Sequence, residues 1–110
     1  MPFAATHLAQ PPTREAVDQL QGPAVLEFGT PWCGHCQRAQ PLIEQAFKDQ
    51  DGVQHLKVED GPGRPLGRSY RVKLWPTLVF LRDGQETARL VRPQDLQDIH
   101  AALRTITAQA

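Results

Sequence analysis

Two thiols stand three residues apart in Cys33-Gly34-His35-Cys36, and the chain has no other cysteine. A disulfide over so short a loop removes little freedom from the unfolded chain, so its structural value is small. The cysteine arithmetic favours chemistry over scaffolding. The chemistry is thiol–disulfide exchange. A Cys33 thiolate attacks a substrate disulfide and forms a mixed disulfide; Cys36 then attacks Cys33 and releases the reduced substrate. Cys33 falls at the first turn of a helix, where unpaired N–H groups and the positive end of the helix dipole favour an anion. Its pKa is expected below the free value of about 8.5. Cys36, one turn on, is expected to lie deeper. His35 can stabilise the Cys33 thiolate as an imidazolium or through a hydrogen bond. A more stable thiolate makes the disulfide a better oxidant, so His35 is expected to tilt the pair that way. A zinc site would need four ligands, and only the scattered His7, His55 and His100 could add to the cysteines. Neither metal nor cofactor is expected.

These residues need a strand and a helix to hold them. Ala24-Val25-Leu26-Glu27-Phe28 reads as a short strand covered on both faces, with one carboxylate, Glu27, inside it. Gly29-Thr30-Pro31 turns the chain. After the cysteines a helix is expected to about Gln50, with Ala39, Leu42, Ile43, Ala46 and Phe47 on its apolar face and a kink near Pro41. Ahead of this unit, residues 1–12 form a lead-in with a possible edge strand. Thr13 is placed to cap a helix whose Ala16, Val17 and Leu20 share one side. Gln54 to Glu59 reads as a strand, Leu66 to Tyr70 as a short helix, and Thr77 to Arg82 and Gln85 to Val91 as a hairpin about Asp83-Gly84. A last helix carries Leu96, Ile99, Leu103 and Ile106. Two strands joined by a long helix predict a right-handed parallel βαβ unit, and the hairpin adds antiparallel pairing. The fold class is α/β, a mixed central sheet with helices on both faces.

Composition narrows the function. The chain has 110 residues, enough for one domain, with 12 basic and 12 acidic side chains. Zero net charge argues against an electrostatic nucleic-acid or anionic-membrane binder. The longest apolar run, Thr77-Leu78-Val79-Phe80-Leu81, is far short of a membrane span. Residues 1–7 show neither a basic region nor an apolar core of a signal peptide, which points to the cytoplasm. The Gly61–Pro65 run lacks the Gly-Lys-Ser/Thr order of a phosphate loop.

Trp32-Cys33-Gly34-His35-Cys36 resembles the active-site motif of the thioredoxin family, and its Gly-His centre is most similar to protein disulfide isomerase domains. Glu27 lies six residues before the first cysteine and Pro41 five after the second. Trp75-Pro76-Thr77, ahead of a strand, resembles the family's cis-proline loop. The likeness runs from about Val17 to Ile106 and implies the thioredoxin fold. It implies that Pro76 is cis and faces the cysteines, with the preceding residue offering backbone hydrogen bonds to a substrate strand. Trp32, Gly34, Trp75, Pro76 and Thr77 would then form the substrate surface. Glu27 would be the buried acid that takes the Cys36 proton, its pKa raised by burial to suit a base near neutrality. Four departures stand out. The acid is Glu where the family has Asp. His55 occupies the place of the usual Lys, with Lys57 nearby. Leu74 and Trp75 precede the proline. Arg92-Pro93 replaces the glycine expected after the last strand.

The activity implied is reduction of protein disulfides by a monomeric cytoplasmic enzyme, recharged by a thioredoxin reductase or another dithiol donor and contributing to cell redox homeostasis. An oxidase or isomerase of an oxidising compartment is the first alternative. A binding or chaperone module with idle cysteines is the second.

Overall fold

The computed structural model describes residues 3–107. Its elements run α1 (Arg14–Asp18), β1 (Pro23–Gly29), α2 (Gly34–Ala46), β2 (Gln54–Glu59), α3 (Pro65–Ser69), β3 (Thr77–Arg82), β4 (Gln85–Val91) and α4 (Leu96–Thr107). The four strands form one sheet in the order β2-β1-β3-β4. β1 and β2 are parallel, with α2 as the crossover, and β1–β3 and β3–β4 are antiparallel. This is the mixed sheet expected from the sequence.

Alternation along β1 explains why it needs cover on both sides. Val25 joins Ala39, Ile43 and Phe47 of the α2 side with Ile99, Leu103 and Ile106 of α4 in one core. Ala24, Leu26 and Phe28 join Val17, Leu66 and Tyr70 in the other, under α1 and α3. Every residue of β1 after Pro23 is buried. Fully burying one such apolar side chain contributes roughly 1.5–3 kcal/mol, so the central strand is held firmly from both faces. The end of that rigid strand is where the cysteine turn begins.

Three local expectations shift. The lead-in forms no strand among the described residues; instead Leu8 N–H donates one bond to the Lys57 carbonyl at 2.8 Å on the β2 edge. Two prolines at Pro11 and Pro12 remove the donors a longer ladder would need. Ala16 is exposed, and Val17 with half-buried Leu20 does the packing of the five-residue α1. α2 ends at Ala46, with Phe47 as its cap, short of Gln50. Its apolar pattern ends at Phe47, and Asp49 turns to a φ of 66°. The helix runs through Pro41, whose missing N–H leaves one carbonyl of the first turn unpaired within α2.

Candidate active site

Cys33 occupies the N-cap of α2, with an extended backbone at φ −81° and ψ 119°. Its Sγ accepts the Cys36 N–H at 3.2 Å, the bond a serine or aspartate oxygen usually makes at this position. The sulfur is thus held at a helix N-terminus by one of the N–H groups the helix leaves open. Cys33 is 8% exposed and Cys36 4%, so the order of depth is as expected. The Cys36 thiol is pushed up to about 12, first by burial, then by the bond with Cys33 and the charges of Cys33 and Glu27. A backbone hydrogen bond from Thr30 offsets part of this. Gly29 makes the geometry possible. A Cβ there would sit 2.5 Å from Cys36 Sγ and 3.9 Å from Trp75 Cβ, so the proline loop and the buried sulfur both close on this glycine.

The outer wall of the site is aromatic. Trp32 is 71% exposed and meets Trp75 edge to face, the ring centroids 5.7 Å apart. Trp75 Nε1 donates to Asp60 Oδ2 at 2.9 Å, and the Asp60 N–H returns to the Gly29 carbonyl, also at 2.9 Å. The Trp75–Pro76 bond is cis. Thr77 is 1% exposed and its hydroxyl donates to the Leu74 carbonyl at 2.5 Å. Its side chain therefore braces the loop from inside, whereas the sequence placed it on the substrate surface. Gly34 is exposed beside Arg38.

Behind Cys36 the site is polar and closed. Glu27 is 1% exposed; His55 Nε2 donates to its Oε1 at 2.9 Å and Gln40 Nε2 to its Oε2 at 2.7 Å. The tautomer of His55 follows from its other nitrogen. Nδ1 accepts the Ala4 N–H at 2.7 Å, so the ring proton sits on Nε2 and points at the carboxylate. Gln40 also donates to the Cys36 carbonyl at 3.1 Å and accepts from Lys57 Nζ at 2.7 Å, while Lys57 reaches the Ala5 carbonyl at 3.2 Å. A cleft of about 470 Å³, lined in part by His7, Thr30, Cys36, Gln40 and Lys57, opens onto this network. The carboxyl of Glu27 is not raised as burial alone would have it. Burial pushes it up, but the bonds from His55 and Gln40 and the charge of Lys57 outweigh that and hold it below the usual range. The raised value expected from the sequence holds only for a buried carboxylate without donors; with His55 and Gln40 in place the shift has the opposite sign.

His35 also departs from expectation. Its Nδ1 lies 3.1 Å from Arg38 Nη2, and no hydrogen bond joins it to Cys33. The charge of Arg92, then desolvation, then the charge of Arg38 push its pKa down, away from the imidazolium. Residues that sequence reasoning did not assign to the site are Gln40, Arg38, Asp60 and Gly29. Gln40 and Arg38 fall outside the apolar set of α2, and the sequence offers no further signal for them. His55 and Lys57, which the resemblance puts near the acid, also fit strand alternation, since both oppose the apolar Leu56 and Val58 and pair in register with Val25 and Glu27. Among the described residues no group of three or more metal-binding side chains is placed to hold an ion. None of their helices is long and apolar enough to cross a membrane.

A capping thiol, a buried partner thiol and a cis-proline loop on this sheet define a dithiol oxidoreductase of the thioredoxin fold. The sequence profile of the thioredoxin family matches residues 5–105, and the chain belongs to that family. It is 34% identical over 89 residues to thioredoxin H-type 1 of Nicotiana tabacum, covering 76% of this chain and 71% of that protein. Thioredoxin 2 of Pseudomonas aeruginosa, solved in its reduced form, superposes with a TM-score of 0.83 at 55% identity, over 94% of this chain and 96% of that one. Protein disulfide isomerase-like 1-4 of Arabidopsis thaliana is 40% identical over 63 residues, 56% of this chain but 11% of that much longer protein. The protein is a thiol–disulfide oxidoreductase working through Cys33 and Cys36. Proteins of this family act on protein disulfides.

Proposed function

We propose that the protein works as a monomeric cytoplasmic reductant of protein disulfides, recharged by a thioredoxin reductase or another dithiol donor. One observation carries the direction: His35, the residue that would tilt the pair toward oxidation, gives its Nδ1 to Arg38 and is disfavoured as an imidazolium. The extra stabilisation of the Cys33 thiolate that makes a strong oxidant is then missing from this source. Likeness to thioredoxins over most of the chain supports the same reading.

The Cys33 thiolate attacks one substrate sulfur; the substrate S–S bond breaks, a mixed disulfide forms and one substrate thiolate leaves. Cys36 gives its proton to Glu27, and its sulfur attacks Cys33 Sγ. The mixed disulfide breaks, the second substrate thiolate leaves and the Cys33–Cys36 bond forms. Two electrons have passed to the substrate. Because His55 and Gln40 hold Glu27 as a weak base while Cys36 is pushed up to about 12, proton removal from Cys36 is the uphill step. Trp32, Gly34 and Trp75 offer the surface on which the substrate strand lies, with the buried cis Pro76 setting the turn of the loop and Thr77 bracing it.

Equilibration of the Cys33–Cys36 pair with glutathione tests the direction. Thioredoxin and protein disulfide isomerase lie near about −270 mV and −180 mV respectively. A value near the former supports the reductant. A value near the latter overturns it in favour of an oxidase or isomerase, the role that the Gly-His centre and the likeness to isomerase domains would favour.

A further inference from the structure

Beside the first turns of α2 lies a cleft of about 480 Å³ whose wall includes His35, Arg38 and Arg92 together with Ala39, Leu42 and Pro93. Three basic side chains meet there, and none of the residues lining the cleft is acidic. Arg38 and Arg92 belong to none of the four ion pairs among the described residues. Their charges act on one another's neighbourhood: both push the imidazole of His35 down. A chain with no net charge has thus gathered two unpaired guanidinium groups, Arg38 and Arg92, around His35, two residues from its attacking sulfur.

Arg92 is the least expected member. Its φ is 52°, in the left-handed region where a side chain costs roughly 1–2 kcal/mol and glycine costs little. The following Pro93 restricts it further, since a residue before proline favours extended backbone. The resemblance to the family implies glycine at this point. The glycine-like backbone is kept, and an arginine is placed on it. The backbone N–H of Arg92 donates to the Pro76 carbonyl at 2.9 Å, and its Nε to the Trp75 carbonyl at 2.8 Å. The Nη groups have no hydrogen-bond partner among the described residues. A strained position held by a charged side chain at a site calls for a functional reason.

We infer that this cleft selects disulfides flanked by Asp or Glu, with Arg92 as the specificity-determining residue and Arg38 as its support. The inference rests on the reductant reading above and names its substrate class. A substrate strand that pairs with the Trp75 carbonyl competes for that oxygen with the Arg92 Nε–H. A carboxylate beside the substrate cysteine offers the guanidinium a two-pronged partner in exchange, and a neutral side chain does not. The flanking charge therefore decides how easily the loop is opened to substrate.

The test uses the full chain, reduced beforehand and freed of reductant, so that no recharging partner is needed. Two synthetic disulfide-bridged peptides are compared, identical except that Asp flanks the cysteines in one and Asn in the other. Chromatography of acid-quenched samples follows their reduction. The wild type is expected to reduce the Asp peptide about fivefold faster than the Asn peptide at low salt, with the advantage shrinking in 0.5 M NaCl, as for a charge at an interface rim. The Asp/Asn ratio is expected to fall toward one in Arg92→Gly, whose backbone is relieved of strain, and to fall in part in Arg38→Gln. The ratio is internal to each variant, so a change in folded fraction does not move it. A wild-type ratio of one or less, or a ratio unchanged in both variants, overturns the inference and leaves the reductant standing. Failure to reduce either peptide overturns the reductant reading itself.

Discussion

The two cysteines see opposite surroundings. In front of Cys33 lie exposed aromatic and basic groups: Trp32, His35 and Arg38 in solvent, Trp75 and Arg92 half-buried. Behind Cys36 lie Glu27, His55 and Lys57, each 8% exposed or less, with Gln40 closing the network. The front is a surface that can change without unfolding anything. The rear is a buried charge tied to β1, β2, α2 and the lead-in through Ala4 and Ala5. Attack is therefore governed by groups that face the substrate, and resolution by groups that belong to the core. Variation in partner choice and variation in the resolving step should follow different residues.

The largest contrast is between the sulfurs themselves. With its thiol pushed up to about 12, Cys36 holds far less thiolate at neutral pH than an unperturbed cysteine. Alkylation by iodoacetamide at pH 7.5, followed by mass spectrometry, should mark Cys33 first by a wide margin; equal rates would erase the distinction. Next comes Glu27→Gln. If Glu27 takes the Cys36 proton, resolution of a preformed mixed disulfide should slow about a hundredfold, the usual scale for losing a general base. If it acts only by its charge, which raises the Cys36 thiol, the same variant should resolve faster, and the proton role would be lost.

Two further changes probe the rear through stability. His55→Ala removes a donor from a buried carboxylate and should cost about 2 kcal/mol in urea unfolding. A loss under about 0.5 kcal/mol would mean that water or Lys57 replaces the imidazole. The pH dependence has a definite sign. The folded carboxyl of Glu27 lies below its unfolded value of about 4.3. Its contribution is present above that pH and is lost as pH falls through the folded value. Stability should fall more steeply on acidification in wild type than in Glu27→Gln; parallel profiles would contradict the hydrogen-bonded carboxylate. The smallest effect belongs to the front. Trp32→Ala, at a side chain 71% exposed, should change stability by about 0.5 kcal/mol or less, while slowing reduction of peptide disulfides.

The same division explains what the sequence made legible. The four strands of the sheet, the βαβ crossover, the hairpin at Asp83-Gly84 and the Thr13 cap all follow from local periodicity and turn chemistry, and all are present. The cysteines and the proline loop were readable because motif and spacing are local too. What stayed hidden was set by contacts distant in the chain. The shift of Glu27 depends on donors 13 and 28 residues away. The charge of His35 depends first on Arg92, far along the chain and marked by the sequence only as a departure; its contact with Arg38, one helical turn on, is local. Burial is written in a pattern of apolar residues; the partner of a buried charge is not.

The edge-to-face contact of Trp32 and Trp75 has a practical consequence. These are the only two tryptophans in the chain, and both belong to the wall of the site. Their ultraviolet emission is therefore an unlabelled optical record of that wall alone, with one tyrosine as the only other phenol or indole in the molecule. Formation of the neighbouring disulfide, arrival of a peptide and rotation of the exposed indole would each register there in real time, free of tryptophan signal from the rest of the fold.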